Sequence, residues 1–346
     1  MYETVEAISP RSRDHKQVEA LLHQEGIRLD GNLDYTCGIF DDEGELIATG
    51  SCFENTLRCL AVSSRHQGEG LLNRIVSHLT DYQAARGNFR LFLYTKVTSA
   101  KFLSDLGFYE IARVPEKLVF MENRRSGFSD YCSRLAETRR EGDRIAAVVM
   151  NANPFTLGHR HLVEQAAREN DVVHLFVLSQ EAGPIPFQVR KQLVVEGVAD
   201  LPNVICHDSD AYIISSATFP SYFLKDEEDV VRTQAALDLA VFGKIAGTLG
   251  IQRRYVGEEP TSRTTQLYNE VMAQTMPRMG LECRIIPRLE TQGKVISAST
   301  VRQAIHDGKL EAVRSMLPGS TYRYFAGAEG ARTVEALRQA TDLIHH

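Results

Sequence analysis

A chain of 346 residues is about twice the usual length of a single domain, so two domains are the first expectation. Its 43% hydrophobic and 24% charged residues are the balance of a globular protein and exclude a disordered or fibrous chain. The net charge of −6, without a long basic block, argues against a nucleic-acid partner, and no apolar run approaches the ~20 residues that cross a membrane. The opening residues MYETVEAISPRSRDHK lack the apolar core of a signal peptide. The six cysteines include no Cys-x-x-Cys pair, so a cytoplasmic protein with reduced thiols is expected.

In chain order, DHKQVEALLHQEG (Asp14–Gly26) predicts a helix capped by Asp14 and stopped at Gly26. YTCGIFDDEGELIATGSCF (Tyr35–Phe53) predicts two strands around the turn Asp41–Gly44. LLNRIVSHLTDYQAA sets Leu72, Ile75, Val76, Leu79 and Tyr82 at helical spacing. FRLFLYT (Phe89–Thr95) is a strand, SAKFLSDLG a short helix ended by Gly107, and FYEIAR (Phe108–Arg113) opens a final hairpin-like pair. The charge-rich stretch Glu122–Arg144 separates this half from the next. The expected division is a first domain over 1–125, a linker over 126–143 and a second domain over 144–346.

The second half alternates strands and helices. RIAAVVM (Arg144–Met150), VVHLFVL (Val172–Leu178), NVICH (Asn203–His207), RRYVG (Arg253–Gly257) and CRIIP (Cys283–Pro287) are the strands. Helical segments between them include Phe187–Asp200 and Asp229–Gly250. This pattern predicts an α/β fold with a parallel sheet, whose ligands bind at the carboxyl ends of its strands.

One such end carries NPFTLGHRH (Asn153–His161). A helix starting near Leu157 or Gly158 aims free N–H groups and a positive dipole end at the preceding loop, which suits an anion. Thr156 can cap that helix or donate to a phosphate, Gly158 permits close approach, and His159 can stabilise charge growing in a transition state. An ordinary capped helix with a surface histidine is the alternative. A second stretch, VISASTVRQAI (Val295–Ile305), sets Ser297, Ser299 and Thr300 at another helix start, with Arg302 one turn in. Two such ends on one sheet are what a triphosphate requires.

Thr156-Leu-Gly158-His159 and Ile296-Ser-Ala-Ser-Thr-Val-Arg302 resemble the two signatures of the nucleotidylyltransferase superfamily, and the second half is then Rossmann-like. The second signature departs from the family pattern at Ala298 and Ser299, which removes one hydroxyl donor. The resemblance implies that a substrate group attacks the α-phosphate of ATP and pyrophosphate leaves, with Mg²⁺ assisting. His159, Arg302 and Thr156 would be catalytic. Asn153, Pro154, Phe155, Gly158, Ser297, Ser299 and Thr300 would contact ATP. Gly257 and Glu258, after a later strand, are candidates for the adenine or ribose side, with a surface turn as the alternative.

In the first half, Arg65-x-x-Gly68-x-Gly70 lies between a strand and an amphipathic helix, and FLSDLGFYE follows a further strand. Together they resemble the GNAT-type acetyltransferase core, a mixed α/β fold that binds acetyl-CoA, although no catalytic base can be singled out. A GNAT-like domain ahead of a nucleotidylyltransferase-like one, with YIISSATFPSYFLKD (Tyr212–Asp226) and YVGEEPTSRTTQLYNEVM (Tyr255–Met272), is similar to the citrate lyase ligase family. That resemblance implies an ATP-dependent acetate:thiol ligase. Acetate would form acetyl-adenylate and then acetylate the CoA-derived thiol of the citrate lyase acyl carrier protein. Ser215, Ser216, Thr218 or Lys225 are candidates for the acetate, against a polar loop and a surface lysine. The Arg65–Gly70 loop is expected to hold the carrier's CoA-like arm, with a scaffold role as the competitor. An adenylyltransferase of a phosphorylated cofactor precursor, or an acetyltransferase with a nucleotide-sensing second domain, are the other readings. No histidine spacing suggests a metal site, and His159 and His161, two apart, are expected on different helix faces.

Overall fold

A computed structural model describes residues 4–340 apart from 182, 215–218, 221, 223, 225, 260–261 and 292. The chain forms two compact units, Met1–Tyr131 with Pro220–Thr233, and Cys132–Phe219 with Gln234–His346. Residues 220–233 therefore return to the first unit from the middle of the second half. The stretch 126–143, expected as a linker, holds a ten-residue helix over Gly127–Ala136 (α4, numbered in chain order with the elements below). Phe128, Tyr131, Cys132 and Leu135 make a helical apolar stripe there that the surrounding charges obscure.

The first unit holds a seven-stranded sheet of order β1-β2-β3-β4-β5-β7-β6. Its elements are β1 (Glu6–Ala7), α1 (Asp14–Gln24), β2 (Tyr35–Phe40), β3 (Leu46–Phe53), β4 (Thr56–Val62), α2 (Leu71–Ala85), β5 (Phe92–Thr95), α3 (Ala100–Asp105), β6 (Tyr109–Val114) and β7 (Leu118–Glu122). Asp14 falls in the first turn of α1 behind Arg13, and no side chain caps that helix. Leu71, Ile75, Val76 and Leu79 of α2 pack into a core with Ile39, Ile47 and Leu57 of the sheet. Cys37, Cys52 and Cys59 are buried and unpaired, and burial pushes their thiols up to about 12, 11 and 12.

Between β3 and β4 the register slips by one residue after Thr49, and Cys59 takes a φ of 50°. An extra residue of this kind bends its strand. β4 meets β5 in parallel through only two pairs, Thr56↔Phe92 and Leu57↔Leu93. Past them Leu60, Ala61 and Val62 and, opposite, Tyr94 and Thr95 line an open cleft of about 600 Å³.

The second unit is a five-stranded sheet of order β10-β9-β8-β11-β12, with every neighbour parallel. Its elements are β8 (Ile145–Met150), α5 (Leu157–Glu169), β9 (Val172–Val177), α6 (Phe187–Gly197), β10 (Val204–Asp208), α7 (Glu227–Leu249), β11 (Arg253–Gly257), α8 (Arg263–Thr275), β12 (Glu282–Ile286), α9 (Ala298–His306), α10 (Gly319–Ala326) and α11 (Ala331–Gln339). The start of α7 belongs to the first unit. From β8 the chain builds outward to β9 and β10, then resumes on the other side at β11, so the order reverses between β8 and β11. Crevices for ligands open at such reversals. Among the described residues no helix is long and apolar enough to cross a membrane.

β9 is buried along its whole length, and it carries a histidine. His174 Nδ1 lies 2.8 Å from His207 Nε2 on β10. Burial holds the two rings down at about 3 and about 4, and for His174 the neighbouring His207 adds to the effect. Below about 6.5 an unfolded chain takes up protons that these folded rings refuse, so stability falls as pH falls from there towards 4. Urea midpoints should therefore drop between pH 7 and pH 5. The drop should shrink when both rings are replaced by Leu, and an equal drop in that variant would exclude the pair as its source.

Candidate active site

A cavity of about 890 Å³ opens at the carboxyl edge of the second unit's sheet. The ends of β8 and β11 border it through Met150 and Gly257, and β12 through Ile286. Three helix starts converge on it: Thr156, Gly158 and His159 of α5, Ser262, Thr264 and Thr265 at α8, and Ser297, Ala298 and Ser299 at α9. The dipole ends and the first-turn N–H groups that the caps leave over suit an anion.

Thr156 and His159 form a reciprocal cap. The Thr156 hydroxyl accepts from the His159 N–H at 3.4 Å, and His159 Nδ1 accepts from the Thr156 N–H at 3.1 Å. A backbone amide can only donate, so Nδ1 is the acceptor nitrogen and the neutral ring carries its proton on Nε2. Burial, with Arg288 and Arg302 nearby, holds His159 down at about 4. At neutral pH it is thus an uncharged donor with Nε2–H unpartnered among the described residues. Phe155 stacks on the ring at 5.9 Å and 18°. Gly197 leaves room for Phe155, since a Cβ there would lie 2.3 Å from its Cε1.

Asn153 and Pro154 lie in the buried loop before the cap and do not border the cavity; neither does Phe155. Their link to it runs through Arg302, 2% exposed on α9, whose Nη1 donates to the Asn153 carbonyl at 2.6 Å. Arg302 thus ties the two motifs together while lining the cavity. A Cβ on Gly158 would sit 3.4 Å from the Ile296 carbonyl oxygen, so glycine lets α5 start against the residue leading into α9. Ser297 caps α9 by position only, its hydroxyl spent on Ser299 Oγ at 2.6 Å. Thr300 is exposed and lies outside the cavity wall.

Gly257 and Glu258 are exposed at the rim. The Gly257 carbonyl accepts from Asn269 Nδ2 at 3.1 Å, and the Glu258 N–H donates to the Ile286 carbonyl at 2.8 Å. Arg288 donates from Nε to the Glu258 carbonyl at 2.8 Å and pairs with Glu259. His161 lines the cavity along with His159. Sequence reasoning missed Asn151, Arg288 and the α8 start. Ser262, three residues before Thr265 at the head of a periodic segment, was a legible cap. Arg288 had no local signal. Ser215, Ser216, Thr218 and Lys225 lie outside the described residues.

In the first unit, Gly68 and Gly70 border the cleft with φ of 87° and 75°, at the start of α2, which no side chain caps. Arg65 is exposed and is not part of the cleft wall. Tyr222, from the returning segment, completes the wall. Among the described residues no group of three or more His, Cys, Asp or Glu could hold a metal.

Comparison with known proteins bears on both units. The citrate lyase ligase C-terminal domain family matches residues 145–325. The citrate (pro-3S)-lyase ligase of Escherichia coli K12 is 35% identical over 340 residues, 96% of each chain. That of Klebsiella pneumoniae is 36% identical over 312 residues, covering 89% of this chain and 91% of its own. The Haemophilus influenzae ligase is 33% identical over 325 residues, with 92% and 97% covered.

Proposed function

Since the chain belongs to the citrate lyase ligase family, we propose that it is the ligase that activates citrate lyase by acetylating the thiol of the lyase's acyl carrier protein. An acetate oxygen attacks the α-phosphorus of ATP, the bond to pyrophosphate breaks, and acetyl-adenylate forms. The carrier thiol then attacks the acetyl carbon, loses its proton, and AMP leaves as the C–O bond breaks. The observation that carries this reading is the His159 cap: a neutral Nε2–H donor beside Arg302 and three helix starts, in a cavity with the size and charge preference of a nucleotide triphosphate. Mg²⁺ bound with ATP would supply charge neutralisation on the phosphates, and would need few or no carboxylates from the chain. His159, Arg302 and the hydroxyls of Thr156 and Ser299 face the phosphates, and Gly257 with Glu258 the nucleoside. Asn153, Pro154 and Phe155 act behind them, by holding Arg302 and the His159 ring. Catalysis is then positioning and electrostatic stabilisation, with no covalent protein intermediate.

The test is product formation. Pyrophosphate and AMP should appear in equal amounts only when ATP, acetate and deacetylated citrate lyase are all present, and lyase activity should return. Pyrophosphate without AMP release would identify an adenylyltransferase instead, and acetyl transfer from acetyl-CoA without ATP an acetyltransferase.

The first unit's cleft is assigned to the carrier's CoA-like arm. It is apolar along Leu60, Val62 and Leu103 and ends at the open start of α2, where a phosphate fits. A side chain at Gly68 meets no atom within 4 Å but is strained at a φ of 87°. Gly68→Val should therefore slow acetylation of the carrier while acetate-dependent exchange of pyrophosphate into ATP continues. Equal loss of both would leave the unit as a scaffold.

A further inference from the structure

Arg190 on α6 is fully buried and does not border the cavity. Its guanidinium holds five oxygens: Asn151 O at 2.8 Å and Oδ1 at 2.7 Å, Leu178 O at 2.9 Å, Gln180 O at 2.5 Å and Ile185 O at 3.3 Å. Asn151 stands at the end of β8 and does border the cavity. A guanidinium has no acceptor, so the amide atom turned to Arg190 can only be oxygen. The side chain's remaining polar group is then its NH₂, and that nitrogen has no partner among the described residues. The geometry points to Asn151 as a substrate-binding donor whose orientation Arg190 imposes: two N–H groups offered to an anionic oxygen, a phosphate oxygen of ATP or a carboxylate oxygen of acetate, near the His159 donor.

This inference rests on the proposed ligase reaction. Its test is Asn151→Asp, which keeps the shape and still offers Arg190 an oxygen, now charged, but faces the cavity with an acceptor. A carboxylate there also repels an anion whatever the role of Asn151, so Asn151→Ser and Asn151→Ala are measured beside it, and a loop-fastening role predicts equal activity for those two. With Asn151 a donor, Asn151→Asp should lose roughly 100-fold or more in kcat/KM, the scale of one lost oxyanion donor, with the midpoint maintained or raised. Acetate-dependent exchange of pyrophosphate into ATP is the assay. A rise in KM for ATP assigns the contact to phosphate, a rise in KM for acetate to the carboxylate, and a fall in kcat alone to charge developing in the transfer. Parent values for all three would overturn the inference. Of the other two, the serine, which can still donate, should retain more activity than the alanine, and equal losses would overturn the assignment. A parent enzyme without exchange would refute the ligase reading, so the two failures are distinct.

Discussion

The His159→Ala enzyme is expected to catalyse acetate-dependent exchange of pyrophosphate into ATP roughly 10²–10³-fold more slowly than the parent, with the KM for ATP changed little. The reason is the timing of the charge. A neutral imidazole N–H would interact weakly with a phosphate oxygen of ground-state ATP and more strongly with the charge that builds as pyrophosphate departs. The reciprocal cap supplies what this needs: Nδ1 is bound to the Thr156 amide, so the proton resides on Nε2. Because His159 is held down at about 4, the parent's rate should show no limb near 6.5 from this ring. His159→Gln, which restores an N–H, should recover part of the loss. Removing the side chain also deletes half of the cap, worth about 0.5–2 kcal/mol of helix stability, so the melting midpoint must be measured alongside. A His159→Ala enzyme with the parent's kcat would remove His159 from the catalytic set.

The second large effect is on stability. Arg190→Met should cost about 3–5 kcal/mol of unfolding free energy, the scale of two or more buried acceptors left without a donor. Methionine fills much of the volume, so the loss measures the polar network rather than a cavity. Five oxygens lose their donor at once, and each unsatisfied buried carbonyl costs about 1–3 kcal/mol unless water reaches it. Domains have only about 5–15 kcal/mol in hand, so the second unit would be left marginal. Arg190→Lys should fall between, since an ammonium has three donors for five acceptors. Urea unfolding measures both, and a loss below about 1 kcal/mol for the methionine would show that the oxygens have other partners.

Much of the second unit was legible because its signals are local. The five predicted segments became the five parallel strands, and in the central β8 and β9, buried almost throughout, the signal is a short and largely apolar run. Thr156-x-Gly-His announced a helix start because capping involves residues three apart. In the first unit the stripe of α2 was plain, whereas α4 was missed where charged neighbours hid a stripe of four. Asp14 was placed at the cap of α1 on residue type alone, and the structure sets it one position inside.

The sequence by itself determined the α/β class, the helix starts at Leu157 and Ala298 and, through the pairing of a GNAT-like half with a nucleotidylyltransferase-like half, the family. The tertiary structure decided the rest. Arg302 reaches the Asn153 carbonyl 149 residues away, α8 brings a third helix start to the same cavity, and Arg190 turns the Asn151 amide. Residues 220–233 join the first unit although they lie within the second half. Periodicity and capping report contacts within a few residues of one another. Which distant side chains share a buried polar network depends on how the helices pack onto the sheet, and no local pattern encodes that.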